Sequence, residues 1–254
     1  MAHSRGYRFL MKMQEHQLVP YQTSVLPVDQ GPWLVLAPHA DDESFGMGGT
    51  LAKAADAGIQ THLWVLTDGA LGGTGADLVL RRRQEALDAA RVLGMEGVQF
   101  HHQPDRQLGA SSSLLQSLSI ELKKLHPAAV FFPGIHELHP DHRACALLAW
   151  QLLRQMGDNA PQALSYEISG QSAANCLVDI SSTMSRKLQA LGVYHSQLDQ
   201  NNYIEIVMSL NKLRTFTLAA NVKWAEAFYR YSRDELQEDL PRWAAAKVCA
   251  MLAW

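Results

Sequence analysis

His39 and Asp42 stand three residues apart in the run Pro38-His39-Ala40-Asp41-Asp42-Glu43, and His139 and His142 repeat that interval in His139-Pro140-Asp141-His142. At the start of a helix this interval brings two side chains to one side, and an imidazole beside a carboxylate is a donor pair suited to zinc. Two ligands from one run and one from the other leave a fourth position open for water, as in catalytic rather than structural zinc sites. Water in such a position ionises near neutral pH. The competing explanation is that Asp41, Asp42 and Glu43 merely favour the positive end of a following helix. That accounts for the acids, but not for His39 or for a second histidine-rich run.

Such a site needs two loops held side by side, and the hydrophobic pattern predicts the scaffold. Residues 33–37, 62–66, 98–100 and 129–132 are strand-length runs, most of them apolar throughout, which suits a sheet covered on both faces. Between and after them, helical spacing covers residues 48–57, 80–93, 114–125 and 143–156, with Gly58, Gly94, Pro127 and Gly157 as stops. The alternation predicts an α/β fold, Rossmann-like and doubly wound, with a mainly parallel sheet and helices on both faces. Ligands in such folds sit beyond the carboxyl ends of the strands. Those positions hold the densest polar clusters: residues 38–43, Thr67-Asp68-Gly69, Gln103-Pro104-Asp105-Arg106 and residues 136–142.

Further along, residues 164–168 and 176–180 read as strands, 183–194 as a helix, and 203–231 and 233–252 as long helical patterns. With no repeat and no low-complexity linker, the chain reads as one elaborated domain. Residues 1–30 form an N-terminal extension, 31–231 the domain and 232–254 an amphipathic C-terminal helix. The apolar residues of that helix, among them Leu236, Leu240 and Trp243, pack on its own domain or on a partner, which leaves a homo-oligomer open.

Hydrophobic residues make up 47% of the chain and charged residues 19%, the balance of a globular protein. A net charge of -3 provides no basic field for nucleic acid, and the run Arg81-Arg82-Arg83 reads as one wet helix face. Cys145, Cys176 and Cys249 are far apart and lack C-x-x-C spacing, which fits a reducing compartment. The first thirty residues lack the apolar core of a secretory signal, and no run reaches membrane-spanning length, so a cytoplasmic location is expected. Gly46-Met47-Gly48-Gly49 departs from G-x-G-x-x-G, and the acids just before it would repel a pyrophosphate. These glycines are expected to let helix and sheet approach closely.

The two metal runs resemble the paired signatures of the PIG-L, or LmbE-like, family of zinc-dependent N-acetylglucosaminyl deacetylases. Thr67-Asp68-Gly69, Arg82 to Glu85, Tyr166-Glu167, Val178-Asp179-Ile180, Lys187, Ser196-Gln197 and Ala225-Glu226-Ala227-Phe228 follow in the family's order. The resemblance implies that His39, Asp42 and His142 hold Zn2+ and that Asp41 is the general base. It also implies that His139, oriented by Asp141, is the cationic group facing the tetrahedral intermediate. Ala40 stands where the family usually has proline, with Pro38 ahead of the histidine instead, which affects only the stiffness of the turn.

Arg82 and His195 are candidate substrate contacts by their family positions, and Asp105 by its place in a strand-end loop. Glu43 is expected to brace the turn, while His101, His102, His126 and His136 read as surface or packing residues. The expected activity is removal of an N-acetyl group from an N-acetylated amino sugar in a glycoconjugate or small glycoside. Rival readings are an amidase for a thiol pseudodisaccharide conjugate, a two-ion phosphoesterase, and a sugar-binding protein that has lost catalysis.

Overall fold

The computed structural model describes residues 22–252, with side chains over 23–247. Eight strands form one mixed sheet: β1 (Gln22–Ser24), β2 (Trp33–Ala37), β3 (Thr61–Thr67), β4 (Gly97–Gln103), β5 (Ala129–Pro133), β6 (Gln162–Tyr166), β7 (Cys176–Asp179) and β8 (Ala225–Arg230). Their order is β1-β7-β8-β6-β5-β2-β3-β4. Every pairing is parallel except those of β8, which runs antiparallel to both β6 and β7. The helices are α1 (Asp42–Asp56), α2 (Leu78–Leu93), α3 (Ser112–Leu125), α4 (Pro140–Gln155), α5 (Met184–Leu191), α6 (His195–Leu198), α7 (Tyr203–Leu213), α8 (Arg233–Gln237) and α9 (Leu240–Leu252).

The sheet is covered on both faces, as the uninterrupted apolar runs require. Trp33, Val35, Leu63, Val65 and Phe131 face one core with α1, α2 and α5. Leu34, Leu36, Trp64, Val130 and Phe132 face the other, with α3 and α4. From β2 the chain moves outward to β3 and β4, then returns to place β5 on β2's other side. That reversal between β2 and β5 opens a crevice at their carboxyl ends, where both histidine-containing runs begin.

Three expectations need correction. Residues 203–231 are not one long helix: α7 ends at Leu213, and residues 225–230 form β8 at the heart of the sheet. The 233–252 pattern is broken between α8 and α9. The sheet also starts inside the supposed N-terminal extension, because β1 pairs with β7 from Gln22↔Cys176 to Ser24↔Val178. Over its described side chains α9 packs on the chain itself, with the Trp243 ring 4.9 Å from those of Tyr229 and Tyr231. Val248, Cys249, Met251, Leu252 and Trp254 lie outside the described side chains.

The glycine run does bring helix and sheet together. α1 is interrupted at Met47 (φ -142°, ψ 19°), and a Cβ added at Gly49 would stand 2.7 Å from Cβ of buried Ile180. An alanine normally stabilises a helix interior over glycine by up to about 1 kcal/mol, whereas forced overpacking costs about 1–3 kcal/mol. Gly49→Ala is therefore expected to destabilise, read as a lowered Tm in thermal unfolding. An unchanged or raised Tm would refute the close approach.

Candidate active site

Because β2 and β5 are parallel neighbours, the loops that follow them meet. His39 sits in the turn from β2 into α1, and its backbone N–H donates to Asp42 Oδ2 at 2.9 Å. The Nδ1 atom of the same histidine is 3.3 Å from that oxygen, while His142 Nε2, on the first turn of α4, is 3.2 Å from Asp42 Oδ1. One carboxylate thus faces both imidazoles. The rings of His39, His139 and His142 cluster with centroids 4.6 to 5.4 Å apart, at the base of a cavity of about 350 Å³.

These charges reshape one another. Burial opposes ionisation of Asp42, but the charge and hydrogen bond of His142, and then those of His39, hold its carboxyl far below the usual range. His142 is pushed up to about 9, its desolvation outweighed by Asp42 and by the hydrogen bond its ring donates to Glu137. Against the same desolvation, Asp105, Asp141 and Asp42 raise His39. Protons on these nitrogens compete with any cation, so metal affinity should fall as pH drops.

Asp41 differs from its neighbour. Its carboxylate lies 3.4 Å from Arg82 Nη2. Burial raises its pKa to about 7, with Arg82 pulling down and Asp42 pushing up. Its backbone, at φ 156° and ψ -26°, is in a region that L residues rarely adopt, strain of the kind that collects at functional sites. As first residue before α1 it makes no capping hydrogen bond with its side chain.

The remaining expected residues are distributed unevenly. Arg82 is buried and lines the cavity, where it donates to Gly69 O and Ala40 O and clamps Asp41. Asp105 also lines the cavity, but its Oδ1 stands 3.4 Å from His39 Nε2 and its Oδ2 accepts the Leu71 N–H. His195 is exposed and borders a separate surface groove with Arg81 and Asp88. In its place Gln197 and Gln200 line the cavity.

Asp141 does not orient His139 with its carboxylate. That group accepts N–H bonds from Arg106 (2.7 Å) and Leu108 (3.2 Å) and lies 3.2 Å from His39 Nε2. His139 is held instead by the Asp141 backbone, whose N–H donates to Nδ1 at 3.2 Å. Burial and the charges of His39 and His142 push its pKa down, opposite to the cationic state expected. A neutral imidazole that accepts at Nδ1 carries its proton on Nε2 and remains a donor.

Several working residues carried no assigned role in the sequence. Glu137, two places before His139 in the polar run after β5, approaches His142 Nδ1 at 3.4 Å. Tyr194 donates to Glu43 Oε1 at 2.5 Å and so braces the α1 turn through Glu43. Phe45, Ile168, Tyr203, Ile206 and Val207 give the cavity an apolar lining alongside its charged groups.

Imidazole and carboxylate donors within contact of one another are the set that zinc takes. Ligand atoms of His39, His139 and His142 fall within 4.8 Å of each other, and so do those of His39, Asp105 and Asp141. Backbone N–H groups engage carboxylates on both sides, those of Asp105 and Asp141 from nearby loops and that of Asp42 from His39, and Asp42 also touches the His39 and His142 rings. His39 belongs to both groups, and with Asp42, His139 and His142 around it this cluster could hold an ion.

This histidine and aspartate cluster, at the strand-order reversal of a mixed α/β sheet, lies within a stretch of the chain that matches a PIG-L domain. Residues 34–153 match the family model described as PIG-L, GlcNAc-PI de-N-acetylase. The chain is 29% identical over 190 residues to the diacetylchitobiose deacetylase of Thermococcus kodakarensis, covering 66% of this chain and 70% of the relative. The fold matches the N,N'-diacetylchitobiose deacetylase of Pyrococcus horikoshii with a TM-score of 0.71 and 26% identity, over 79% of this chain and 84% of that one. A conserved protein from Thermus thermophilus matches with a TM-score of 0.70 and 30% identity, over 78% and 93%. Among the described residues no helix is long and apolar enough to cross a membrane.

Proposed function

We propose that this chain is a zinc-dependent deacetylase that hydrolyses the acetamido group of an N-acetylglucosamine-type sugar, in a small glycoside or glycoconjugate, to a free amine and acetate. The observation that carries the reading is the division of neighbouring acids: Asp42 faces both histidines, while Asp41 faces Arg82 beside the same cavity. His39, Asp42 and His142 would hold the ion. Zinc bound there supplies Lewis acidity toward the amide oxygen and lowers the pKa of the attacking water.

The chain's own groups complete the reaction. Asp41 takes the proton from the water as it adds to the amide carbon, and Arg82 fixes the direction of the carboxylate. His139 offers its Nε2 proton to the developing oxyanion. The proton held by Asp41 then passes to the departing nitrogen. The amine keeps the nitrogen and acetate keeps the oxygen of water. A cavity with charged groups and an apolar lining suits a sugar ring, whose faces carry C–H groups and whose edge carries hydroxyls.

Two measurements test this. Zinc-loaded protein incubated with N-acetylglucosamine glycosides should release acetate, with loss of one acetyl from the sugar by mass spectrometry. Failure on every N-acetylglucosamine glycoside tested would remove the assignment. His39→Ala, Asp42→Ala and His142→Ala should each lose zinc while staying folded, because a ligand bond is lost before the core. Wild-type protein should carry a single ion per chain, and two ions would favour a phosphoesterase.

A further inference from the structure

Glu137 is buried, and every backbone contact to its carboxylate arrives as a donor. Oε1 accepts the Ile168 N–H at 2.7 Å, and Oε2 accepts the Ser169 N–H at 3.0 Å together with the Ser169 hydroxyl. With its oxygens so held, the carboxylate is a fixed acceptor, and the one remaining neighbour is His142 Nδ1 at 3.4 Å. Carboxylates face both ring nitrogens, so without an ion each can carry a proton. The main chain fixes Glu137 as an acceptor while Asp42 is itself on the ligand side, so the proton kept on metal binding is the one on Nδ1, which leaves the lone pair of His142 on Nε2. That atom is the one 3.2 Å from Asp42 Oδ1.

We propose that Glu137 is a positioning residue that fixes the tautomer and ring plane of His142, so that Nε2 is presented to the metal. The proposal rests on His142 being a ligand, as set out above. Acceptors on the far nitrogen of ligand histidines orient the ring and raise its basicity, and their removal costs about 10–100-fold in metal affinity. Glu137 also holds Ile168 and Ser169, two residues of the cavity wall, so one side chain registers the metal ligand against the substrate pocket.

The test uses the full chain with isotope-labelled histidine. Long-range proton–nitrogen NMR spectra of the zinc-loaded wild type should show His142 protonated at Nδ1 and metal-shifted at Nε2. Coordination through Nδ1 overturns the proposal while leaving His142 a ligand. If neither nitrogen responds to zinc, the ligand assignment falls and the proposal with it. Glu137→Gln puts an amide donor among donors, so chelator competition should show zinc affinity reduced by about 10–100-fold in a chain that stays folded. A lowered Tm with zinc affinity within about threefold of wild type would make Glu137 a structural residue only, and would overturn the proposal.

Discussion

Asp41→Asn should keep near-stoichiometric zinc and lose about two to four powers of ten in turnover, while Asp42→Asn should lose the metal itself. The two acids are adjacent and both buried, so burial alone does not separate them. Their partners do. Asp42 sits between His39 and His142 and is held ionised, whereas burial raises the Asp41 carboxyl to about 7 against the pull of Arg82 beside it. The sign of the pH effect follows from its role. A base works only when ionised, so kcat/KM should rise with pH through the pKa of Asp41 and level off above it. A cation nearby favours the carboxylate, so with zinc bound that limb should lie below about 7. In Asp41→Asn the limb should vanish along with most of the rate. Zinc analysis and pH–rate profiles on both variants decide the matter. An Asp41→Asn protein that loses zinc, or keeps more than about a tenth of wild-type turnover, would sink the division of labour.

The two loops were legible because both signals are local. An interval of three in each run, placed after an apolar strand, locates His39, Asp42, His139 and His142 at one rim before any contact is known. The parallel strands were legible for a related reason: β2, β3 and β5 are buried on both faces and read as unbroken apolar segments. The direction of side chains within the loops was not legible. Asp141 lies next to His142 in sequence, yet its carboxylate is drawn to the N–H groups of Arg106 and Leu108 in a different loop. His195 was misplaced because α6 is fixed by its neighbours. Tyr194 is anchored on Glu43 and Ser196 on Glu85, so the side between them turns outward.

β8 was misread for a different physical reason. Ala225-Glu226-Ala227 favours helix by local propensity, and a glutamate between alanines looks like a wet helix position. In the fold Glu226 is fully buried, and its partner is Lys187, far away in sequence on α5. A strand that buries a charge can be recognised only with the opposite charge in view, and tertiary pairing then overrides propensity.

That pair should carry a large share of the stability of the domain. Lys187 Nζ donates to Glu226 Oε1 at 2.6 Å and to the Phe45 carbonyl at 2.8 Å, and burial pushes its pKa down against the pull of Glu226. Glu226 accepts the N–H groups of Gly49 and Thr50 at 2.9 and 2.7 Å. The break in α1 at Met47 frees a carbonyl on one side and N–H groups on the other, and this ion pair satisfies both. Lys187→Met would leave Glu226 charged, buried and without its counter-ion, at a cost of about 3–5 kcal/mol. At roughly 2–4 °C per kcal/mol for a domain of this size, Tm should fall by about 6–20 °C. Adding Glu226→Gln should return part of that loss, since it removes the stranded charge while its carbonyl can still accept one N–H. The functional consequence runs through Phe45, whose side chain lines the cavity and whose carbonyl would lose its donor. KM should therefore rise in Lys187→Met at temperatures where the variant is still folded. Calorimetry of both single variants and the double variant tests the coupling. A Tm within about 2 °C of wild type for Lys187→Met, or strictly additive losses in the double variant, would show that the pair does not hold the α1 break together.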